Sequence, residues 1–210
     1  MPGITSERIE TYLQQILPER DGLMQRMEAY ADEHEVPIIG PLAGSFLFAI
    51  AKLIQAKNIL EGGTAIGYSA IWLARAIAEW NGKITTLEIN PKTAEIARKN
   101  LTEAGVQKRV EVVVGESLDL IKKLDGPFDL CFIDIDKHQY RAFLDAVLPK
   151  VRKGGVVLVD NVLWSGKVAE EKRDETTEHV RKFNDYVMKH PQLQSVIVPL
   201  RDGISVSIKK

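Results

Sequence analysis

The chain has a single cysteine, Cys131, in 210 residues. No internal disulfide framework can form, and this thiol, set in an apolar run, reads as a buried and inert side chain. Long hydrophobic runs are missing too. No stretch approaches the ~18 apolar residues that span a bilayer. The opening MPGITSERIETYL carries charge where a secretory signal needs an apolar segment. A reducing cytoplasm and no membrane partner fit these absences. There is also no excess of one charge: 28 basic side chains stand against 29 acidic ones, for a formal net charge of −1. No global basic field advertises nucleic acid, although a local patch suffices for an RNA partner. The four histidines, His34, His138, His179 and His190, lack the spacing of a zinc site. Repeats and low-complexity segments are absent.

What is present is an ordinary globular mixture, 45% apolar and 27% charged, in a length that suits one domain. Helical spacing runs over 6–17, 23–34 and 42–55, interrupted by Pro18, Pro37 and Pro41. From there strands and helices alternate. Strands are expected at 58–62, 83–88, 109–115, 128–134 and 154–160, and helices at 68–80, 91–104, 117–124, 139–147 and 176–190. Two closing strands, SVIVPL and GISVSI, flank the turn Arg201-Asp202-Gly203. Continuous apolar strands alternating with helices imply an α/β fold with a parallel sheet covered on both faces, here with an antiparallel hairpin at its edge. The organisation is one domain over 1–210, in which helices of 1–55 cover a site carried by a core over 56–210.

Ligands of such sheets sit outside the carboxyl ends of the strands. The first strand ends in Glu61-Gly62-Gly63 and leads through Gly67 to Tyr68 and Ser69. The spacing G-G-x-x-x-G is not the dinucleotide fingerprint, which disfavours a nicotinamide dehydrogenase. A plain strand-to-helix turn also needs glycine, but Glu61 beside it would repel a pyrophosphate and bind an ammonium. The second strand ends in Glu88, placed to take both hydroxyls of a ribose. The third ends Gly115-Glu116-Ser117, suited to the edge of a base. Together they describe a pocket for a nucleoside with an amino-acid tail, S-adenosylmethionine (SAM). The fourth strand ends Asp134-Ile135-Asp136-Lys137 and the fifth Asp160-Asn161. An Asp-Asn pair alone often caps a turn. Beside Asp134 on the adjacent strand, it completes an oxygen-only site for Mg²⁺, alternatively Mn²⁺ or Ca²⁺.

ILEGGTAIGYS, FIDIDKHQY and VDNVLWSG resemble, in order, three motifs of the cation-dependent SAM O-methyltransferases of the catechol and caffeoyl-coenzyme A type. The resemblance runs from about Glu28 to the C-terminus. It implies a Rossmann-like class I methyltransferase fold with a seven-stranded, mostly parallel sheet and helices on both faces, SAM, a divalent cation and a homodimer. It places Asp134, Asp160 and Asn161 on the metal and makes Lys137 the catalytic base. Ile39, Glu61, Gly63, Tyr68, Ser69, Glu88, Gly115, Ser117, Asp134 and Asp136 fall to the cofactor, and Trp164 and Ser165 to the substrate. MEAYADEHEVPI, DNVLWSGKVAE and PLRDGISVS are similar to the bacterial branch that methylates 5-hydroxyuridine in tRNA, so tRNA is the expected acceptor. Arg20, Arg26, Lys167 and Arg201 are the candidate phosphate contacts. A small vicinal diol offers the same pair of adjacent oxygens and is the alternative; a nucleoside-binding module without chemistry is a third. Gly62 replaces the family's usual apolar residue, and VIVPL stands where the catechol enzymes hold their substrate with an acidic side chain.

Overall fold

The computed structural model describes residues 4, 6–171 and 174–210. Met1–Gly3, Thr5 and, within the charged run 170–175 read as a solvated loop, Lys172 and Arg173 lie outside the described residues. Three helices open the chain: α1 (Glu7–Ile16), α2 (Gly22–Glu33) and α3 (Gly40–Leu53). Then β1 (Asn58–Gly62), α4 (Tyr68–Ala76), β2 (Lys83–Glu88), α5 (Pro91–Glu103), β3 (Val110–Val114), α6 (Ser117–Lys123), β4 (Phe128–Ile133), α7 (Tyr140–Val147) and β5 (Val151–Val159) alternate. After α8 (Glu175–Lys189), β6 (Leu193–Val198) and β7 (Ile204–Lys209) close the chain.

Local chemistry fixes the helix starts. The Asp21 carboxylate accepts from the Met24 amide at 3.0 Å and Asp174 from that of Thr177 at 2.7 Å. Asn90 accepts from the Lys92 amide at 2.9 Å, with Pro91 in the first helical position. These caps satisfy amides that helix geometry leaves without a carbonyl.

The sheet order is β3-β2-β1-β4-β5-β7-β6. The first five strands pair in parallel, and β7 is antiparallel to both β5 and β6. The chain winds outward in both directions from the β1–β4 pair, so a crevice opens at their carboxyl ends. Leu60, Cys131 and Ile133 belong to the apolar cluster on one face; Ile59, Leu130 and Phe132 belong to that on the other. Residues i and i+1 of a strand point to opposite faces, so a sheet buried on both sides needs continuous apolar runs. Among the described residues no helix is long and apolar enough to cross a membrane.

Two strands differ from the sequence expectation by more than one residue. β5 begins at Val151, because Val151 pairs with Phe128 before an irregularity carries the ladder to Leu130 and Val156. β6 lies two residues earlier, at 193–198, since Pro199 lacks the amide that a ladder needs.

Candidate active site

The carboxyl ends of the parallel strands open into a cavity of about 670 Å³, roofed by α1, α2 and the segment 36–42. Of the residues singled out from sequence, Gly63, Glu88, Ser117, Asp134, Asp136, Lys137, Asp160 and Asn161 line it. Ile39, Glu61, Tyr68, Ser69 and Gly115 are not in its wall but support those that are. Trp164 and Ser165 lie in the turn beyond Asn161, half-buried and outside the lining.

The β1–β2 end is built from fixed hydrogen bonds. Glu88 Oε2 accepts from the Ala65 amide and Oε1 from the Asn90 amide, both at 2.9 Å. The carboxylate is thus held at the cavity wall in one orientation. Gly63, at φ +95°, has an internal reason to be glycine: a Cβ there would stand 2.0 Å from the Asp134 carbonyl oxygen. Closeness to the neighbouring strand end, rather than room for a ligand, excludes a side chain.

Behind Gly63 the Glu61 side chain is fully buried. Thr64 donates to the Thr86 hydroxyl and Thr86 to Glu61 Oε2, each at 2.6 Å, while Oε1 has no partner. Burial pushes the Glu61 carboxyl up to about 7, and hydroxyl donors at Ser69 and Thr86 pull against it. Tyr68 donates to Glu28 Oε1 at 2.6 Å, and Arg20 grips the same carboxylate with Nη2 at 2.8 Å. Both Arg20 and Glu28 line the cavity, and this tie between α2 and the start of α4 had no sequence signal.

At the β4–β5 end, Lys137 Nζ donates to Asn161 Oδ1 at 2.8 Å, to the Ile135 carbonyl at 3.3 Å and to Asp134 Oδ1 at 3.4 Å. The Trp164 and Tyr140 rings flank this ammonium at 5.6 and 5.4 Å from their centroids. Asp160 is 1% exposed, and its Oδ1 is buried without a partner. Burial and then the charge of Asp134 hold the Asp160 carboxyl well above the ordinary carboxylate range, with Arg201 pulling it back. Beneath, Tyr140 donates to the Asp160 carbonyl at 2.8 Å, fixing the strand end.

The turn after Asn161 is strained: Asn161, Trp164 and Ser165 all have φ between 49° and 56°. Asp202 in the closing turn holds it by accepting from the Ser165 amide, and the Leu163 amide donates to the Asp202 carbonyl at 2.8 Å. A Cβ on Gly203 would overlap Leu163 at 2.4 Å, so the closing turn and the Asn161 turn are packed face to face.

Two carboxylates and an amide oxygen, with one carboxylate oxygen unpartnered, fit a hard divalent cation. Among the described residues there is no cluster of three or more His, Cys, Asp and Glu side chains suited to a metal, so any cation here rests on this mixed set. The phosphate contacts expected from sequence are mostly engaged: Arg20 by Glu28, Arg26 by Glu103, and Arg201 turned inward toward Asp160. Lys167 remains half-exposed, 3.8 Å from Asp174.

A family model described as O-methyltransferase matches residues 16–210. The chain belongs to this family. Among curated relatives, a catechol O-methyltransferase of Mycobacterium tuberculosis is 40% identical over 193 residues, 90% of this chain and 87% of its own. One of Niastella koreensis is 36% identical over 97% of both chains. Two solved O-methyltransferases superpose along nearly the whole length. One is from Bacillus cereus, in complex with SAH (TM-score 0.87, 31% identity, 97% of both chains). The other is TomG from Streptomyces achromogenes, in complex with SAM (TM-score 0.86, 31% identity, 97% of this chain and 96% of that one). The protein is therefore an enzyme with the Rossmann-like methyltransferase fold that the resemblance of its three motifs implied, which sets aside the non-catalytic nucleoside-binding alternative.

Proposed function

We propose that this O-methyltransferase uses SAM and a divalent cation to methylate one hydroxyl of a small aromatic vicinal diol. The observation that carries the reading is the Lys137 ammonium hydrogen-bonded to Asn161 and Asp134 beside the unpartnered carboxylate of Asp160. Asp134, Asp160 and Asn161 would hold the cation. SAM supplies an electrophilic methyl group and the cation a Lewis acid that lowers the pKa of the acceptor hydroxyl. Glu88 takes the ribose hydroxyls, since each of its oxygens keeps a lone pair beyond the amide it already accepts from. Lys137 removes the proton of the attacking hydroxyl as the neutral amine, which keeps two N–H donors for the neighbouring oxygens of Asn161, Ile135 and Asp134 and a lone pair for the incoming proton. The flanking Trp164 and Tyr140 rings keep water from that amine. Much of the remaining rate enhancement comes from holding donor and acceptor in line.

A roofed cavity of about 670 Å³ falls within the ~300–1,000 Å³ range of small-molecule sites. The catechol names of two relatives, and the engagement of Arg20 and Arg201 inside the protein, weigh the same way. A second reading, 5-hydroxyuridine in tRNA, has the resemblance of the closing motifs and half-exposed Lys167 beside the Asn161 turn in its favour. One assay separates the two: purified enzyme with SAM on catechol, caffeate and hydroxyuridine-containing tRNA, with and without EDTA. Methylation of the small diols, abolished by EDTA and restored by Mg²⁺ or Mn²⁺, is the expected result. Methylation of tRNA alone would install the second reading, and full activity after verified metal loss would remove the cation from the mechanism.

A further inference from the structure

Arg201 occupies an unusual position in this site. It sits in the closing turn at φ +50°, and its guanidinium is turned into the molecule, 19% exposed, in the cavity wall. Nη2 donates to the Ile38 carbonyl at 3.2 Å. Nε and Cζ lie 3.8 and 3.9 Å from the Cβ position of Gly40, in ordinary van der Waals contact with the wall. Nη1 is 3.9 Å from Asp160 Oδ2, beyond hydrogen-bond reach, and is buried with no partner. One side chain thus touches both the roof segment between Pro37 and Pro41 and the carboxylate that would hold the cation.

We infer that Arg201 is a positioning residue that orients Asp160 from outside the cation site and fastens the Pro37–Pro41 wall to it, so that cation binding and ordering of that wall are one coupled event. The inference rests on the cation reading given above. A carboxylate that ligates a metal through one oxygen needs a donor on the other to fix its orientation, and loss of such an outer donor typically weakens metal binding 10–100-fold. Nη1, unpartnered and 3.9 Å from Asp160 Oδ2, is the donor that a small shift of either side chain would bring into a hydrogen bond. The same guanidinium plane cannot swing toward Asp160 without moving its bond to Ile38, because a guanidinium presents its N–H groups in a rigid fork. Lysine at this position offers charge without the fork. Whatever couples the wall to the cation must act in both directions, since coupling between two sites is reciprocal.

The test uses Mn²⁺ as the probe. Its affinity is read by the free-ion electron paramagnetic resonance signal, and the wall by hydrogen exchange at the amides of Ile38, Ile39, Gly40 and Leu42. In the wild type, Mn²⁺ is expected to slow exchange at these amides about fivefold or more. In Arg201→Met, Mn²⁺ affinity should fall about 10–100-fold and the Mn²⁺-dependent protection should vanish. Arg201→Lys should recover part of the affinity and little of the protection, a split that general destabilisation would not produce. Wild-type protein whose wall amides ignore Mn²⁺ overturns the inference, whatever the variants do. So does Mn²⁺ affinity unchanged in a folded Arg201→Met protein, and both results leave the cation reading intact. Failure of the wild type to bind Mn²⁺ at all overturns the cation reading and this inference together.

Discussion

At the ends of β1 and β2 the Glu88 carboxylate is held by two backbone amides, whereas at the ends of β4 and β5 Asp160 and Arg201 face each other across 3.9 Å with an unpartnered polar atom on each. The first region is finished without any ligand. The second sets Asp134 and Asp160 beside Lys137 and Arg201, with Lys137 3.4 Å from Asp134 but Arg201 3.9 Å from Asp160. Buried polar atoms without a partner are unfavourable unless a ligand supplies one. Under the proposed mechanism, the contrast means that the cofactor end is preformed and that the acceptor end would be completed by the cation.

Replacing Lys137 gives the largest expected break in this contrast. Lys137→Ala should lower kcat by about 10²–10⁴, the usual contribution of a positioned general base, while calorimetric binding of SAH stays near wild type. Equal loss of SAH binding would mean that the two ends are not separate.

Glu61 is the exception at the finished end, and it sharpens the comparison through stability. Its carboxyl is raised from 4.5 to about 7 by burial. The folded protein therefore holds more proton than the unfolded chain between those values, so this group's contribution to stability declines as pH rises through that window and is flat above it. The span corresponds to up to roughly 3 kcal/mol. Glu61→Gln should flatten the fall of Tm between pH 5 and 8. Asp160 is present in both proteins, so the difference between them isolates Glu61. Parallel Tm curves would show that Glu61 does not titrate there.

The smallest effect is expected at Glu88. Under the proposed cofactor placement, Glu88→Ala removes the acceptor of the ribose hydroxyls, and water entering the cavity replaces part of what each bond is worth. At least a tenfold rise in the SAH dissociation constant should follow, with the Mn²⁺ affinity untouched. An unchanged titration would remove the β2 end from the cofactor site.

The legible parts of the molecule are those encoded over short distances. Alternating apolar strands gave the parallel sheet, and residues that follow directly on a strand, such as Asp134, Lys137, Asp160 and Asn161, could be placed at its end by counting. Contacts across the fold were not available in that way. Nothing in the spacing of α2 indicates that Glu28 joins Tyr68 to Arg20. Arg201 reads from sequence as an exposed turn cation, and only the packing of the closing turn against Leu163 reveals that it points inward. Gly63 illustrates a right residue with a different cause, since the constraint comes from Asp134 on the neighbouring strand. Trp164 and Ser165 were singled out as neighbours of Asn161 in sequence; both lie outside the cavity lining, and the Trp164 ring reaches the site through Lys137, 5.6 Å from its centroid.

The place of β7 between β5 and β6 has a temporal meaning. A growing chain makes β6 before the strand that β6 must pair with, so β6 has no seat until Ile204–Lys209 are synthesised. Domains fold as synthesis proceeds, at about 5–20 residues per second. Here β1 to β5 can assemble early with the outer edge of β5 open. The turn carrying Arg201 and Asp202, which braces the Asp160 and Asn161 end, arrives with that last strand. The Asp160 and Asn161 end is therefore among the last parts of the fold to be braced.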